Sequence, residues 1–429
     1  MNREPGPRAE ERPARLDARP QVACAGVDRA RRPAYDAAPV TRAAHATGPY
    51  RAVDSRECHA RLNVVYDLRY ATDHFPGVGT HAHALLAALL RLPSEDRFRV
   101  LWREGDRASR FDTGSFATHP RVDWTIVDAP ALGLRAPIAT ARRLRQVGGD
   151  VYLSPFYLRP IGPTMPVVLT LHDAMHLVPE VRSPFRMRAS FALALRLARG
   201  AQAVLTSSRF SREELVRRAG FRAERLHVVP LGVPPRWTGP PERPARVPDR
   251  AFALVVGGNR PHKGLDTLAH AWRRMGAERA LDLVSAGAVD PRFPSLAALA
   301  RRERTAGTHT LGHVSPAALE WLYANAMLVL LPSRYEGFGL PLIEAAARGT
   351  PVIASDIPAL REIGEGAVHF VPPDDDVAWA DAVTQLAGDA AGRERLKRAG
   401  LERAAVYDYD AVARRVRDVL ASVVAGRAA

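Results

Sequence analysis

MLVLLPSRYEGFGLPLIEAAARGTPVIAS, residues 327–355, reads as strand, glycine-broken loop, short helix and strand again. MLVLL is a wholly apolar run of the kind that forms a strand buried on both faces of a parallel sheet. Pro332, Gly337 and Gly339 then break regular structure and open the backbone to unusual dihedrals. Pro341 suits the first turn of a helix, where its missing N–H costs nothing, and Gly349 suits the place where that helix stops. A strand, a glycine loop and a helix N-terminus in that order make a seat for an anionic group. Two carboxylates, Glu336 and Glu344, bracket the seat.

The same alternation runs outward in both directions. Upstream, AFALVVGGNRPHKGLDTLAHAW repeats strand, glycine loop and helix. Its loop places Gly257, Gly258, Arg260 and Lys263 where a diphosphate would be held. LDLVSAG and THTLGHVS supply two more strands, and SPAALEWLYANA supplies a helix with Ser315 as its N-cap. Downstream come a short helix, a strand and a further helix, and residues 390–426 are largely helical. Residues 234–249, PPRWTGPPERPARVPD, are Pro-rich and read as an interdomain linker to an earlier α/β series.

That earlier series starts with the strand RLNVVYDLRY, then DHFPGVGTHAHALLAALLRL, a loop with Gly77 and Gly79 before an apolar helix. FRVLW, VDWTIV and DVYLSP read as strands and residues 136–147 as a helix. PVVLTLHDAMHLVPE sets His172 and Asp173 just past the carboxyl end of a buried strand, where open α/β sheets gather their ligands. FRMRASFALALRLARGA is a basic amphipathic helix. AVLTSS is a strand, and SREELVRRAG a helix with Ser211 as N-cap and Glu214 three later. LHVVPLGV ends the series. The expected organisation is therefore an Ala/Pro/Arg-rich, disordered or loosely packed extension over 1–58, a first domain over 59–233 and the linker over 234–249. A second domain over 250–405 and a C-terminal helix over 406–429 complete it.

Bulk properties narrow the function. A chain of 429 residues, 47% hydrophobic and 25% charged, is that of a soluble globular protein with room for two cores. No apolar run approaches the ~20 residues of a membrane helix, and the N-terminus lacks the apolar core of a secretory signal. Cys24 and Cys58 are the two cysteines, too few for a disulfide framework, and the chain reads as cytoplasmic. The net charge of +15 raises polyanions as partners, yet residues 1–58 hold 11 Arg against 8 acidic residues and no nucleic-acid signature accompanies the rest. An Arg-rich composition is the simpler reading. It leaves room for peripheral contact with an anionic membrane surface and gives no reason to expect nucleic acid. Lys263 and Lys397 are the only lysines among 61 basic residues, so the lysine in the glycine loop stands out.

Metal patterns are weak. His81 and His83, two apart on a helix, point to different faces and read as surface or helix-end polar residues. His172 and His176 share i, i+4 spacing, but Pro179 and the expected loop oppose a helical site. Asp374 with Asp376, and Asp408 with Asp410, sit where helices start, which capping and the helix dipole already explain. No metal is expected.

The ordered series EGFGLPLIE, GTPVIASDIPALREI, PGVGTHAHALLAAL, LHDAMHLVPE, TSSRFSREEL, VVPLGV, GGNRPHKGLDTL and LGHVS resembles the retaining glycosyltransferases of the GT-B fold, family 4 or "group 1". The resemblance spans about residues 61–425. It implies an α/β fold of two Rossmann-like domains, doubly wound parallel sheets facing across a cleft, with the C-terminal helix returning to the first. It also implies transfer of a sugar from a nucleoside-diphosphate donor to a hydroxyl of a glycan or lipid-linked acceptor, with retention at the anomeric carbon and no cofactor. Likeness to mannosyltransferase members favours GDP-mannose. On this reading Glu336 holds hydroxyls of the transferred sugar, with His172 and Asp173 lying against it. Lys263, Arg260, Gly258 and the N–H groups of Phe338, Gly339 and Leu340 face the diphosphate, joined by Gly79 from the first domain. Glu344 takes the ribose hydroxyls and Val314 lines the base pocket. Many members carry an Arg six residues before the Lys, whereas GGNRPHK has Arg260 three before Lys263.

Two other classes share the fold. A nucleotide-sugar epimerase would release an isomerised sugar without an acceptor; a phosphorylase would need a pyridoxal lysine, which two lysines make a poor fit. A non-catalytic polyanion-binding protein would show salt-sensitive nucleic-acid binding and indifference to loss of Glu336 or Lys263.

Overall fold

A computed structural model describes residues 61–72, 76–103, 111, 114–127, 131–133, 135–181 and 183–428. The expected extension over 1–58, with both cysteines, lies outside the described residues. In the first half the strands are β1 (Asn63–Asp67), β2 (Arg97–Trp102), β3 (Val122–Ile126), β4 (Val151–Ser154), β5 (Val167–Thr170), β6 (Ala203–Thr206) and β7 (Leu226–Val228). Their helices are α1 (Pro76–Arg91), α2 (Gly114–Ala117), α3 (Ala136–Val147), α4 (Phe185–Ala198) and α5 (Arg209–Ala219). In the second half β8 (Phe252–Val256), β9 (Asp282–Ala286), β10 (Thr308–Gly312), β11 (Leu328–Leu331), β12 (Val352–Ser355) and β13 (His369–Val371) alternate with α6 (Leu265–Met275), α7 (Leu296–Arg302), α8 (Pro316–Asn325), α9 (Leu340–Ala347), α10 (Pro358–Gly364) and α11 (Asp376–Gly388). Helices α12 (Ala390–Ala404) and α13 (Tyr409–Ala428) follow.

All pairings are parallel. The first sheet runs β3-β2-β1-β4-β5-β6-β7 and the second β10-β9-β8-β11-β12-β13. In each, the strand order reverses beside the first strand, the doubly wound pattern that places a ligand crevice beyond the carboxyl ends of the strands. Strands β4, β5, β6, β11 and β12 are buried at every position, which is why they appear in sequence as unbroken apolar runs rather than alternating ones.

Two details differ from the sequence reading. Helix α1 already begins at Pro76, so Gly77 and Gly79 lie in its first turn and not in a loop; proline is well suited to open a helix. The N-cap of α5 is Ser208, not Ser211. Ser208 is extended and its Oγ accepts the Ser211 N–H at 3.0 Å, whereas Ser211 sits one turn inside. Glu214 pairs with Arg217 and Arg218 on the same helix.

The final helix returns to the first sheet. Val412, Ala413, Val416, Val419 and Leu420 of α13 share a core with Leu85, Leu86 and Leu89 of α1 and Val64 and Tyr66 of β1. Each valine and leucine among them contributes roughly 1.5–3 kcal/mol through burial. The chain changes core between Val229, in the first, and Leu231, in the second, and changes back between Tyr407 and Tyr409. The Val233 N–H donates to the Tyr407 carbonyl at 2.8 Å, so the two crossings run side by side. The Pro-rich residues 234–249 come just after the first crossing and strap along the second domain. There the Glu242 N–H meets the Ala317 carbonyl at 3.2 Å and Arg236 meets Glu320 at 3.1 Å.

Candidate active site

The carboxyl ends of β5, β8 and β11 supply the three segments that meet between the sheets. After β8 the chain makes a short 3₁₀ turn, Pro261–Lys263, and Gly264 follows at φ +65°. A side chain at 264 would collide with the Pro332 carbonyl, so this glycine lets the turn lie directly on the segment after β11. The Arg334 N–H then donates to the His262 carbonyl at 2.7 Å. Lys263 is thereby carried to Glu336, with Nζ to Oε1 at 2.6 Å, and Ser333 donates to the same oxygen at 2.7 Å. Burial disfavours the charged form of Glu336, but the Lys263 ammonium and the Ser333 hydroxyl prevail and hold its carboxyl below the usual range.

Beyond β5, His172 and Asp173 lie against the EGFG loop. A Cβ at Gly337 would stand 2.7 Å from the Asp173 Cβ and 2.7 Å from the His172 carbonyl oxygen. Asp173 accepts the Met175 N–H at 2.9 Å, and burial pushes its carboxyl up to about 6 against that bond. Both ring nitrogens of His172 are buried with no hydrogen-bond partner among the described residues. Burial lowers this imidazole to about 4; the Pro155 carbonyl opposes the shift without reaching hydrogen-bond geometry. A neutral imidazole with two unused ring nitrogens offers one donor and one acceptor to a polyhydroxylated ligand.

Glu344, on α9, accepts the Tyr323 hydroxyl at 2.6 Å, and burial raises its carboxyl despite that bond. Val314 packs on the second-domain core beside Leu311. Gly258 sits between β8 and the turn, its Cβ position 3.3 Å from the Ala288 carbonyl, and Arg260 opens the turn with its side chain exposed. Phe338 is buried, and Gly339 caps α9, whose first residue is Leu340. The structure thus brings Lys263, Glu336 and Asp173 together, with His172 next to Asp173 and its ring turned to His81, and with Gly258, Arg260, Gly339 and Leu340 on the segments around them. Glu344 and Val314 stand further along the second domain.

Gly79 is placed differently. Its Cβ position is blocked by the Phe111 ring at 2.8 Å and the Thr72 carbonyl at 3.1 Å, whereas that of Gly77 meets Leu340 Cδ1 at 3.9 Å. Gly77 is therefore the glycine of α1 that approaches the EGFG loop, because the helix starts early and turns Gly79 inward. His81 departs from its expectation as a surface residue. It is 3% exposed, its ring lies edge-on to His172 at 5.3 Å between centroids, and its Nδ1 is 3.4 Å from the Tyr409 hydroxyl. Burial, then His172, keeps it well below the usual imidazole range. His83, partly buried, packs on Phe116 at 4.8 Å. Among the described residues no group of three or more His, Cys, Asp or Glu side chains stands together as a metal site.

Residues 76–237 match the family described as Glycosyltransferase Family 4, and residues 251–389 match Glycosyl transferases group 1. An MMP alpha-(1->4)-mannosyltransferase of Mycolicibacterium hassiacum is 34% identical over 239 residues, 54% of this chain and 57% of that protein. This chain thus spans little more than half the length of that relative. An O-antigen chain mannosyltransferase B of Escherichia coli is 28% identical over 293 residues, covering 65% and 76% respectively. Among solved structures, sucrose-phosphate synthase (tll1590) from Thermosynechococcus elongatus superposes over 85% of this chain and all of its own, with a TM-score of 0.64 at 21% identity, a likeness of fold. Parallel sheets facing across a crevice, with a Lys–Glu pair and His172 at the strand ends, are an architecture of the GT-B type. The chain belongs to glycosyltransferase family 4, the group 1 glycosyl transferases.

Proposed function

We propose that this chain transfers mannose from GDP-mannose to a hydroxyl of a glycan or lipid-linked acceptor, with retention at the anomeric carbon and without a metal. The observation that carries the reading is the Lys263–Glu336 pair with Asp173 within reach of both charges, next in the chain to His172, whose two buried ring nitrogens have no partner among the described residues. When the bond from C1 to the diphosphate breaks, negative charge gathers on the phosphate oxygens. Lys263, Arg260 and the N–H groups of Phe338, Gly339 and Leu340 meet that charge more strongly than they meet the ground state. Positive charge grows at C1, where a neutral His172 adds none of its own. Glu336 orients the sugar hydroxyls and Glu344 those of the ribose. The relatives named as mannosyltransferases support the choice of sugar. Anionic lipid at a membrane face suits the +15 charge of the chain as the place where a lipid-linked acceptor is met.

A panel of GDP-, UDP-, ADP- and dTDP-sugars in hydrolysis and transfer assays tests this, with product stereochemistry read by NMR. The expected result is turnover of GDP-mannose, unaffected by EDTA, with kcat lowered about 100-fold or more by Glu336→Ala or Lys263→Ala. Turnover of no donor overturns it. Release of an isomerised sugar without acceptor would replace it with the epimerase reading.

A further inference from the structure

Three serines from the TSSRFS segment of the first domain converge on one backbone carbonyl of the second. The Gly337 carbonyl accepts Ser208 Oγ at 2.7 Å and Ser211 Oγ at 2.9 Å, with Ser207 Oγ at 3.4 Å. A carbonyl oxygen has two lone pairs, and the first two hydroxyls fill them. Ser207, whose hydroxyl has one proton, spends it on the His172 carbonyl at 2.9 Å. All three serines are buried, at 1%, 0% and 0% exposure. The same helix that carries them is fastened a second time. Glu362, from α10 of the second domain, accepts the Arg209 N–H at 2.9 Å and the Phe210 N–H at 3.1 Å, a carboxylate on the positive end of the α5 dipole. Phe210 then packs on Tyr335, two residues before Gly337.

We propose that Ser208, Ser211 and Glu362 are positioning residues of the transfer reaction. They fix the Gly337 carbonyl against the first domain and thereby aim the Phe338 N–H, at the other side of the same peptide, toward the donor diphosphate. The carbonyl and N–H of one planar trans peptide point in opposite directions, so a carbonyl held by two hydroxyls leaves its N–H no freedom to turn. The clamp also sets the spacing between His172–Asp173 and the EGFG loop, since Gly337 touches both of those residues. Its role in chemistry rests on the donor assignment above; its hold on the peptide does not.

The test uses the full chain with Ser208→Ala, Ser211→Ala, Glu362→Ala and Glu362→Gln, each first shown to be folded by its melting transition. Amide hydrogen exchange over residues 336–340 is measured beside steady-state kinetics and nucleoside-diphosphate affinity. Losing one such bond should raise exchange in this segment about tenfold and lower kcat about tenfold. Donor KM and nucleotide Kd should move far less, because Lys263 and Glu344 are untouched. Glu362→Gln, which keeps an acceptor oxygen at the helix terminus, should recover most of what Glu362→Ala loses. Unchanged exchange overturns the clamp. Raised exchange with wild-type kcat, or a rise in KM and Kd matching the fall in kcat, overturns the positioning role. A wild type inert toward every nucleotide sugar would defeat the functional reading, and exchange would still decide the clamp.

Discussion

Lys263 and Glu336 form a partly buried ion pair that keeps a cation in the site before any ligand arrives, with Lys263 a quarter exposed and Glu336 13%. An ammonium has three donors, so Lys263 can serve Glu336 and a phosphate oxygen together. The histidines around the pair carry a different signal. Burial holds His172 at about 4, and burial followed by the Lys263 charge holds His262 at about 3, while His81 is also depressed. An unfolded imidazole binds its proton near pH 6.5. Between that value and the folded one the unfolded state holds more protons, so the stability these residues confer is complete above pH 6.5 and is lost as pH falls toward 4. Asp173 acts in the opposite sense. Its raised carboxyl favours the folded protein at low pH, an advantage that fades as pH rises through about 6. Three histidines outweigh one aspartate, so the melting temperature of the ligand-free protein should drop from pH 7 to pH 4.5, and His262→Gln should flatten that drop. A melting temperature that rises on acidification would contradict the assignment; calorimetry across the range decides it.

At the scale of elements, the EGFG side of the site was legible in the sequence because its parts are local. The strand, the EGFG loop, Pro341 and Glu344 lie within one short run, and Pro341 and Ser315 appear at the helix starts where their chemistry predicts. The first-domain side was less legible. Gly77 and Gly79 are two apart in one glycine-rich string, and which of them approaches the EGFG loop depends on where α1 begins and on Phe111, 32 residues after Gly79. Ser208 shows up in sequence as one more hydroxyl near a helix start. Its partner on Gly337 lies 129 residues away, and no local pattern reports such a pair. Gly337 is the point where both sides touch. In Gly337→Ala the added methyl would overlap Asp173 and the His172 carbonyl and force the two loops apart. The expected outcome is a fall in kcat of about 100-fold, the scale of losing aligned transition-state donors. Nucleoside-diphosphate affinity by calorimetry should stay close to wild type. Wild-type turnover in that variant would show that the contact is not needed.

For the whole molecule the two side-by-side crossings and the returning α13 matter most. Arg417 of α13 meets Asp96 at 2.7 Å with the side chains 15% and 3% exposed, and Asp96 also accepts the Leu62 N–H at 2.9 Å ahead of β1. Arg417→Ala would strand a buried carboxylate and should cost about 3–5 kcal/mol in urea unfolding. Arg91 of α1 also meets Asp410 of α13, but that pair is about half exposed, and Arg91→Ala should cost less than about 1 kcal/mol. Equal losses in the two variants would mean that α13 is not held by its buried ion pair.

By itself the sequence determined the class of fold, two doubly wound parallel sheets, and the family. Strands buried on both faces must be written as continuous apolar runs, and the turns, caps and phosphate-facing loops between them need particular residues at short spacing. Tertiary structure alone decided which glycine approaches the EGFG loop, that His81 is a buried neighbour of His172, and where the chain crosses between cores. It also decided that Ser208 and Ser211 hold the EGFG loop, and Glu362 of α10 the start of α5, across the two domains. Each of those facts is a contact between residues distant along the chain, set by how the sheets and helices pack, and no local preference encodes it.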